Sequence, residues 1–125
     1  MTVTPGHELH FDELPGRDSA DPLLGLGAAS SIRIVRLHPG RTRQAHRHPH
    51  SEEIVYVRTG HGTAFLDGTP CRVAPGDVVH VPPGVPHATI PDTGELMELI
   101  CFFPHPSLAN NLEETDIQVS IQEQP

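Results

Sequence analysis

Two histidines one residue apart, His46 and His48, constrain this chain more than any other feature. Side chains on a β-strand repeat every second residue, so both imidazoles point to one face. On a helix the same pair would diverge by roughly 200°. Five residues past His48 a carboxylate, Glu53, opens the run Ile54-Val55-Tyr56-Val57. Two imidazoles and one carboxylate carried by adjacent strands make an incomplete cage for a divalent metal.

A second stretch completes the cage. It runs from Gly76 through the apolar residues around His80 to the rigid turn Pro82-Pro83-Gly84, and then to His87. Elsewhere β signals recur at residues 31–38, 44–48, 53–58, 63–66, 71–74, 78–81, 85–89 and 95–103. Asp67-Gly68 is a two-residue hairpin signal, with glycine available for positive φ. Fourteen Pro and eleven Gly predict many turns and short strands. The fold class is all-β, a sandwich or small barrel rather than an α/β fold.

Flanking segments are read from their periodicity. Leu9 and Phe11 alternate with His10 and Asp12 as one short strand, and residues 19–30 read as loop. Leu23, Leu24 and Leu26 in that loop are apolar enough to cover part of a barrel mouth. Residues 106–115 predict a short helix capped by Ser107, with Leu108 stacking on Leu112. Glu113 and Glu114 at its end oppose the helix dipole and keep it short. Residues 116–122 read as an edge strand with Ile117, Val119 and Ile121 on one face and Gln118, Ser120 and Gln122 on the other. The 125 residues thus divide, within one domain, into an N-terminal extension (1–30) packing on the barrel, the barrel itself (31–105), and a short helix with an edge strand (106–125).

The two stretches together resemble the cupin superfamily at the level of its two sequence motifs. Gly40, His46, His48, Glu53 and Gly60 match every position of the first motif, with the four-residue spacer before the carboxylate. Gly76, Pro82, Gly84 and His87 match the second, whose final Asn is replaced here by Pro91. That Asn is not a metal ligand in the family pattern, so the departure touches only the turn after His87. The resemblance implies a double-stranded β-helix, a small jelly-roll barrel with one metal inside. Ten histidines in one chain make chance His-x-His pairs ordinary. Glu53, Gly60 and the Pro-x-Gly-x-x-His stretch turn the pair into a ligand set of His46, His48, Glu53 and His87.

Nitrogen donors with one hard oxygen suit Fe(II), placed first, or Mn(II), Ni(II), Cu(II) or Zn(II). Such a site leaves coordination positions for a small-molecule substrate with oxygen donors. The leading expectation is a metal-dependent enzyme acting on a small oxygenated molecule, with dioxygenase-type oxidation first. Non-redox isomerase, lyase or cyclase chemistry is the alternative, and a non-catalytic binding or sensing module a further one. In the run 95–103, either Leu99, Cys101 and Phe103 or Glu98, Ile100 and Phe102 line the pocket, according to register. An inward Glu98 would be a general base, and His80 a pocket group. Arg33 or Arg36, if inward, would hold a substrate carboxylate. Tyr56 falls on the face opposite Glu53, and Glu52 and His50 read as solvated carboxylate and rim histidine. His38, His61 and His105 sit at turns and read as exposed.

Net charge is −8 and there is no Lys, which argues against nucleic acid or an anionic membrane as partner. Cys71 and Cys101 read as two buried free thiols. No apolar run is long enough to span a bilayer and the start carries no signal pattern, so the expected location is cytoplasmic. Two bare strand edges, near residues 9–11 and 117–121, would invite pairing, and the resembled family often dimerises. A homodimer is therefore expected.

Overall fold

The computed structural model describes residues 1–121 of the chain. The expectation for Gln122, and for the end of the 106–125 segment, lies outside the described residues. Strands β1 (Asp12–Leu14), β2 (Arg17–Ala20), β3 (Ser31–Leu37), β4 (Thr42–Arg47), β5 (Glu53–Thr59), β6 (Gly62–Leu66), β7 (Thr69–Val73), β8 (Val78–Val81), β9 (His87–Pro91), β10 (Met97–Phe103) and β11 (Glu113–Ser120) form two antiparallel sheets. One has the order β1-β2-β3-β10-β5-β8 and the other β11-β4-β9-β6-β7. Together they make a jelly-roll β-barrel. No helix among the described residues is long and apolar enough to cross a membrane.

Alternation along three central strands builds the interior. Ser31, Arg33, Val35 and Leu37 of β3 are buried, while Ile32, Ile34 and Arg36 turn outward. On β5 the buried set is Glu53, Val55 and Val57. On β10 it is Met97, Leu99, Cys101 and Phe103. Register aligns the three sets, with Cys101 opposite both Arg33 and Val55. A slip of one residue would exchange Leu99 for a charged neighbour and lose about 1.5–3 kcal/mol for each apolar side chain exposed. A smaller cluster of Ala45, Phe65, Ala88, Ile90 and Val119 packs the second sheet, with Ile121 against it.

Gly60, a motif glycine, has a φ of +84°, and a Cβ there would run into the Leu96 carbonyl and Met97. Any other residue would face both a left-handed backbone and a blocked position. Asp67 and Gly68, at φ 49° and 82°, form the expected tight turn between β6 and β7.

The flanks differ from their sequence reading in three ways. The N-terminal strand begins at Asp12 and turns at Pro15-Gly16 into β2, which pairs with β3. Residues 19 and 20, expected in a loop, belong to this strand because it completes the backbone pairing of β3. Phe11 lies 3.9 Å beneath the Arg36 guanidinium, outside the strand. The expected C-terminal helix shrinks to one 3-10 turn, Ala109–Asn111. Ser107 Oγ does accept a bond from the Asn110 N–H at 3.1 Å, and Leu108 packs on the main core.

β11 is an edge strand on β4, and its alternation is broken. Pairing shifts between Glu114 and Gln118. Thr115 is buried there, donating from Oγ1 to the Ala45 carbonyl at 2.6 Å, while its own carbonyl accepts from Gln44 Nε2. These bonds hold a bulge that turns Ile117 outward while Val119 stays buried. The two cysteines are free, as expected, but only Cys101 is buried; Cys71 is exposed on the edge strand β7.

Candidate metal centre

β4 and β9 pair at one position, where His46 lies opposite His87. His48 follows just past the end of β4, and Glu53 enters as the first residue of β5. The three imidazole centroids lie 4.6–5.1 Å apart. Their nitrogens form a group able to hold a metal ion, with all ligand atoms within 4.8 Å of one another. The Glu53 carboxylate stands beside them, Oε1 being 2.7 Å from His87 Nε2 and 3.4 Å from His48 Nε2.

Neighbouring carbonyls orient two rings. His48 Nδ1 lies 2.8 Å from the Asn111 carbonyl and His87 Nδ1 lies 2.9 Å from that of Val85. A carbonyl only accepts, so each Nδ1–H donates and each Nε2 presents its lone pair to the interior. Nε2 of His46, His48 and His87 and Oε1 of Glu53 are all buried without a hydrogen-bond partner. Buried polar atoms are nearly always satisfied. Four orphaned electron-pair donors converging on one point fit a divalent cation, and the mixed nitrogen and oxygen set fits a transition metal.

Charge in the site follows from burial. Burial, then the neighbouring His87 and Arg33, push His46 well below its ordinary value, so it is neutral and free to donate its lone pair. Burial alone would raise the Glu53 carboxyl, but His48, His87 and Arg33 outweigh it and hold the group well below the usual range. Arg33 Nη2 lies 3.8 Å from Glu53 Oε2. Burial and the Glu53 charge push the Cys101 thiol well up, which keeps it protonated.

The site opens into a cavity of about 630 Å³. Val35, Leu37, Val55 and Leu99 give it apolar walls, and Pro15-Gly16 and Pro39-Gly40 stand at its edge. Arg33 is the inward arginine, while Arg36 lies outside. Arg17 and Arg43 also reach the cavity. Neither was singled out in the sequence, because Arg17 sits in a polar run without apolar alternation. Asn111 was missed too; an Asn-Asn pair before a strand is a turn signal, and it is the only hint.

Other candidates fall outside. Glu98 faces outward between Arg36 and Arg58, at 3.1 Å from each, because register puts Leu99 and Cys101 inside. His80 is also outward, on the edge strand β8, paired with Glu52 at 2.8 Å. His50 stacks on His105, with centroids 5.8 Å apart, and its N–H donates to Asn111 Oδ1. His38 and His61 bond Asp18 and Glu95. Tyr56 is exposed on the outer face, as its position opposite the Glu53 face requires.

With this geometry in hand, the similarity to known proteins is specific. Residues 33–103 match the family model described as Cupin domain. Protein SchB of Streptomyces halstedii is 33% identical over 130 residues, spanning 93% of this chain and 94% of that protein. The uncharacterized protein MJ1618 of Methanocaldococcus jannaschii is 32% identical over 90 residues, 70% of this chain and 71% of its own. The chain belongs to the cupin family. Among solved structures, the Streptomyces nucleoside dehydratase Pac13 superposes with a TM-score of 0.75 at 16% identity, covering 92% of this chain and 91% of that one. That likeness is one of fold.

The lowered His46 and Glu53 values give a signed pH dependence. Below about pH 6.5 the unfolded chain protonates His46 while the folded one resists, so stability is full above that value and falls below it. Glu53 contributes only above its unfolded value, and its share is lost at lower pH still. Urea denaturation of metal-free protein should lose about 1 kcal/mol on going from pH 6.5 to 5.5. His46→Gln should flatten that slope, and a wild-type midpoint constant across this range would contradict the buried neutral imidazole.

Proposed function

We propose that this cupin is a metal-dependent enzyme acting on a small oxygenated organic molecule, with dioxygenase-type oxidation as its leading chemistry. The observation that carries the reading is the convergence of four unpartnered donor atoms on one point at a cavity open to substrate. His46, His48, Glu53 and His87 are assigned as ligands of one divalent transition metal, Fe(II) first. The bound metal supplies Lewis acidity and, when redox-active, a path for electrons from substrate to dioxygen.

The chain's own residues do the rest. The Asn111 and Val85 carbonyls keep His48 and His87 aimed inward. Val35, Leu37, Val55 and Leu99 offer apolar walls to the body of a substrate. Arg33 stabilises negative charge beside Glu53. Glu98 and His80 face outward and Cys101 stays protonated, so the carboxylate that lines the cavity beside the ligands is Glu114, opposite His46 in the pairing of β11 with β4. A cavity of this kind suits a substrate that binds already ionised, such as an enolate or catecholate. The second reading, Lewis-acid isomerase, lyase or cyclase chemistry, is favoured by the inward arginines, which stabilise an enolate without any electron transfer.

A homodimer is proposed through the outer face of the six-stranded sheet. Ile32, Ile34, Ile54, Tyr56, Ile100 and Phe102 form a contiguous apolar surface there by register, with Tyr56 and Phe102 exposed. Light scattering should give twice the 13.6 kDa chain mass at micromolar concentration, and the mass of a single chain would exclude it.

Two further measurements test the enzyme. Metal titration should show His48→Ala and Glu53→Gln weakening binding at least tenfold and Glu52→Gln leaving it unchanged; sensitivity at Glu52 instead would move the carboxylate ligand one residue. Oxygen uptake with diketones, catechols and keto acids should find a substrate consumed with dioxygen by the Fe(II) protein and not by the Zn(II) protein. Turnover by the Zn(II) protein under nitrogen would replace oxidation with the non-redox reading.

A further inference from the structure

The cavity holds more positive charge than the acidic chain around it. Arg17, Arg33 and Arg43 line it, against the carboxylates of Glu53 and Glu114. The wall therefore carries one excess positive charge inside a protein of net charge −8. Two of these guanidiniums are left incomplete. Nε of Arg17 and Nε of Arg33 are buried without a hydrogen-bond partner. Arg33 is 9% exposed at its side chain, held between Glu53 and the Phe103 ring, whose centroid lies 5.8 Å away. Arg17 comes from β2, the neighbour of β3, and its Cα partner Leu37 lies four residues along β3 from Arg33. Both face the same interior. Burial and the Arg33 charge together destabilise the charged form of Arg17. Like charges brought together with orphaned donors are unfavourable unless an anion joins them.

We propose that Arg17 and Arg33 form an anion subsite that takes the carboxylate of a small organic acid, while an oxygen donor of the same molecule reaches the histidine cluster. This deepens the metal-enzyme reading and rests on it only for the second anchor. A guanidinium fork offers Nε and Nη donors side by side, matched to the two oxygens of a carboxylate. In the metal-free protein a monoanion cancels the single excess charge of the wall, and a bound divalent ion adds to its attraction. The remaining lining, Val35, Leu37, Val55 and Leu99, is apolar and accommodates a hydrocarbon body. Arg17 and Arg33 are thus specificity-determining residues, and Arg43, whose Nη2 donates to the His38 carbonyl at 3.1 Å, adds charge from a fixed position.

The test uses two matched probe pairs by calorimetry. Salicylate and salicylamide share the ring and the phenol oxygen and differ in whether the second group is a charged carboxylate or a neutral amide; they are titrated into metal-loaded protein. Benzoate and benzamide are titrated into metal-free protein, where only the arginine wall can discriminate. Each carboxylate should bind at least tenfold tighter than its amide. Arg17→Gln, at the less buried position, should erase most of that preference and leave amide binding within twofold; Arg17→Lys should restore only part of it. Arg33→Gln should do the same where its circular dichroism and melting match wild type, and the Arg17 variants carry the test where they do not. Equal binding of benzoate and benzamide, or a preference untouched by Arg17→Gln, would overturn the subsite. Failure of the protein to bind metal would instead sink the enzyme reading, while the metal-free arm still judges the arginines.

Discussion

Four electron-pair donors pointed at one spot inside the barrel are the constraint on which this molecule turns. With every Nε2 deprotonated, three imidazole nitrogens and a carboxylate oxygen repel one another at such separations, His87 Nε2 and Glu53 Oε1 being only 2.7 Å apart. Water is largely kept from them, since His48, Glu53 and His87 are all buried. A cation at the centre converts that repulsion into attraction, and the surrounding protein is arranged to tolerate the interval before it arrives. Arg33 offsets the Glu53 charge, and backbone carbonyls fix the tautomers of His48 and His87.

The two sheets divide the work. The five-stranded sheet brings His46 and His87 together across β4 and β9, and the six-stranded sheet delivers Glu53, Arg17 and Arg33. Because each ligand comes from a different strand or strand end, its position depends on register as much as on its own rotamer. The alternation of β3, β5 and β10 therefore serves the site as well as the core. It places Arg33, Glu53 and Cys101 inside and Arg36, Tyr56 and Glu98 outside by the same rule.

Much of this was legible in the residues. Period-two alternation marked the central strands, and the motif spacing marked His46, His48, Glu53 and His87, four side chains that lie together in the structure, because turns and strands carry their own composition signals. Glu98 shows where such reading stops. Its parity was known, but which parity faces inward depends on its neighbour Leu99 pairing with Val57 and Val35, a long-range fact. Strand β2 has no apolar pattern, because its pairing with β3 is a backbone matter, and so Arg17 went unseen. The bulge in β11 was likewise hidden. It rests on Thr115 and Gln44 bonding to backbone groups some seventy residues away in sequence.

The 3-10 turn at Asn111 has a consequence for how the protein comes into being. Its carbonyl holds His48, its side-chain amide donates to Ser51 at 2.8 Å, and its Oδ1 accepts from the His50 backbone. The strand that follows then closes over β4. During synthesis the ligand histidines emerge well before this segment does. Until residues 109–120 have left the ribosome and docked, His48 has no fixed tautomer and β4 has a free edge. Binding of an ion by these histidines would thus wait on the docking of residues 109–120, and a nascent chain stalled short of that segment would carry His48 without its brace.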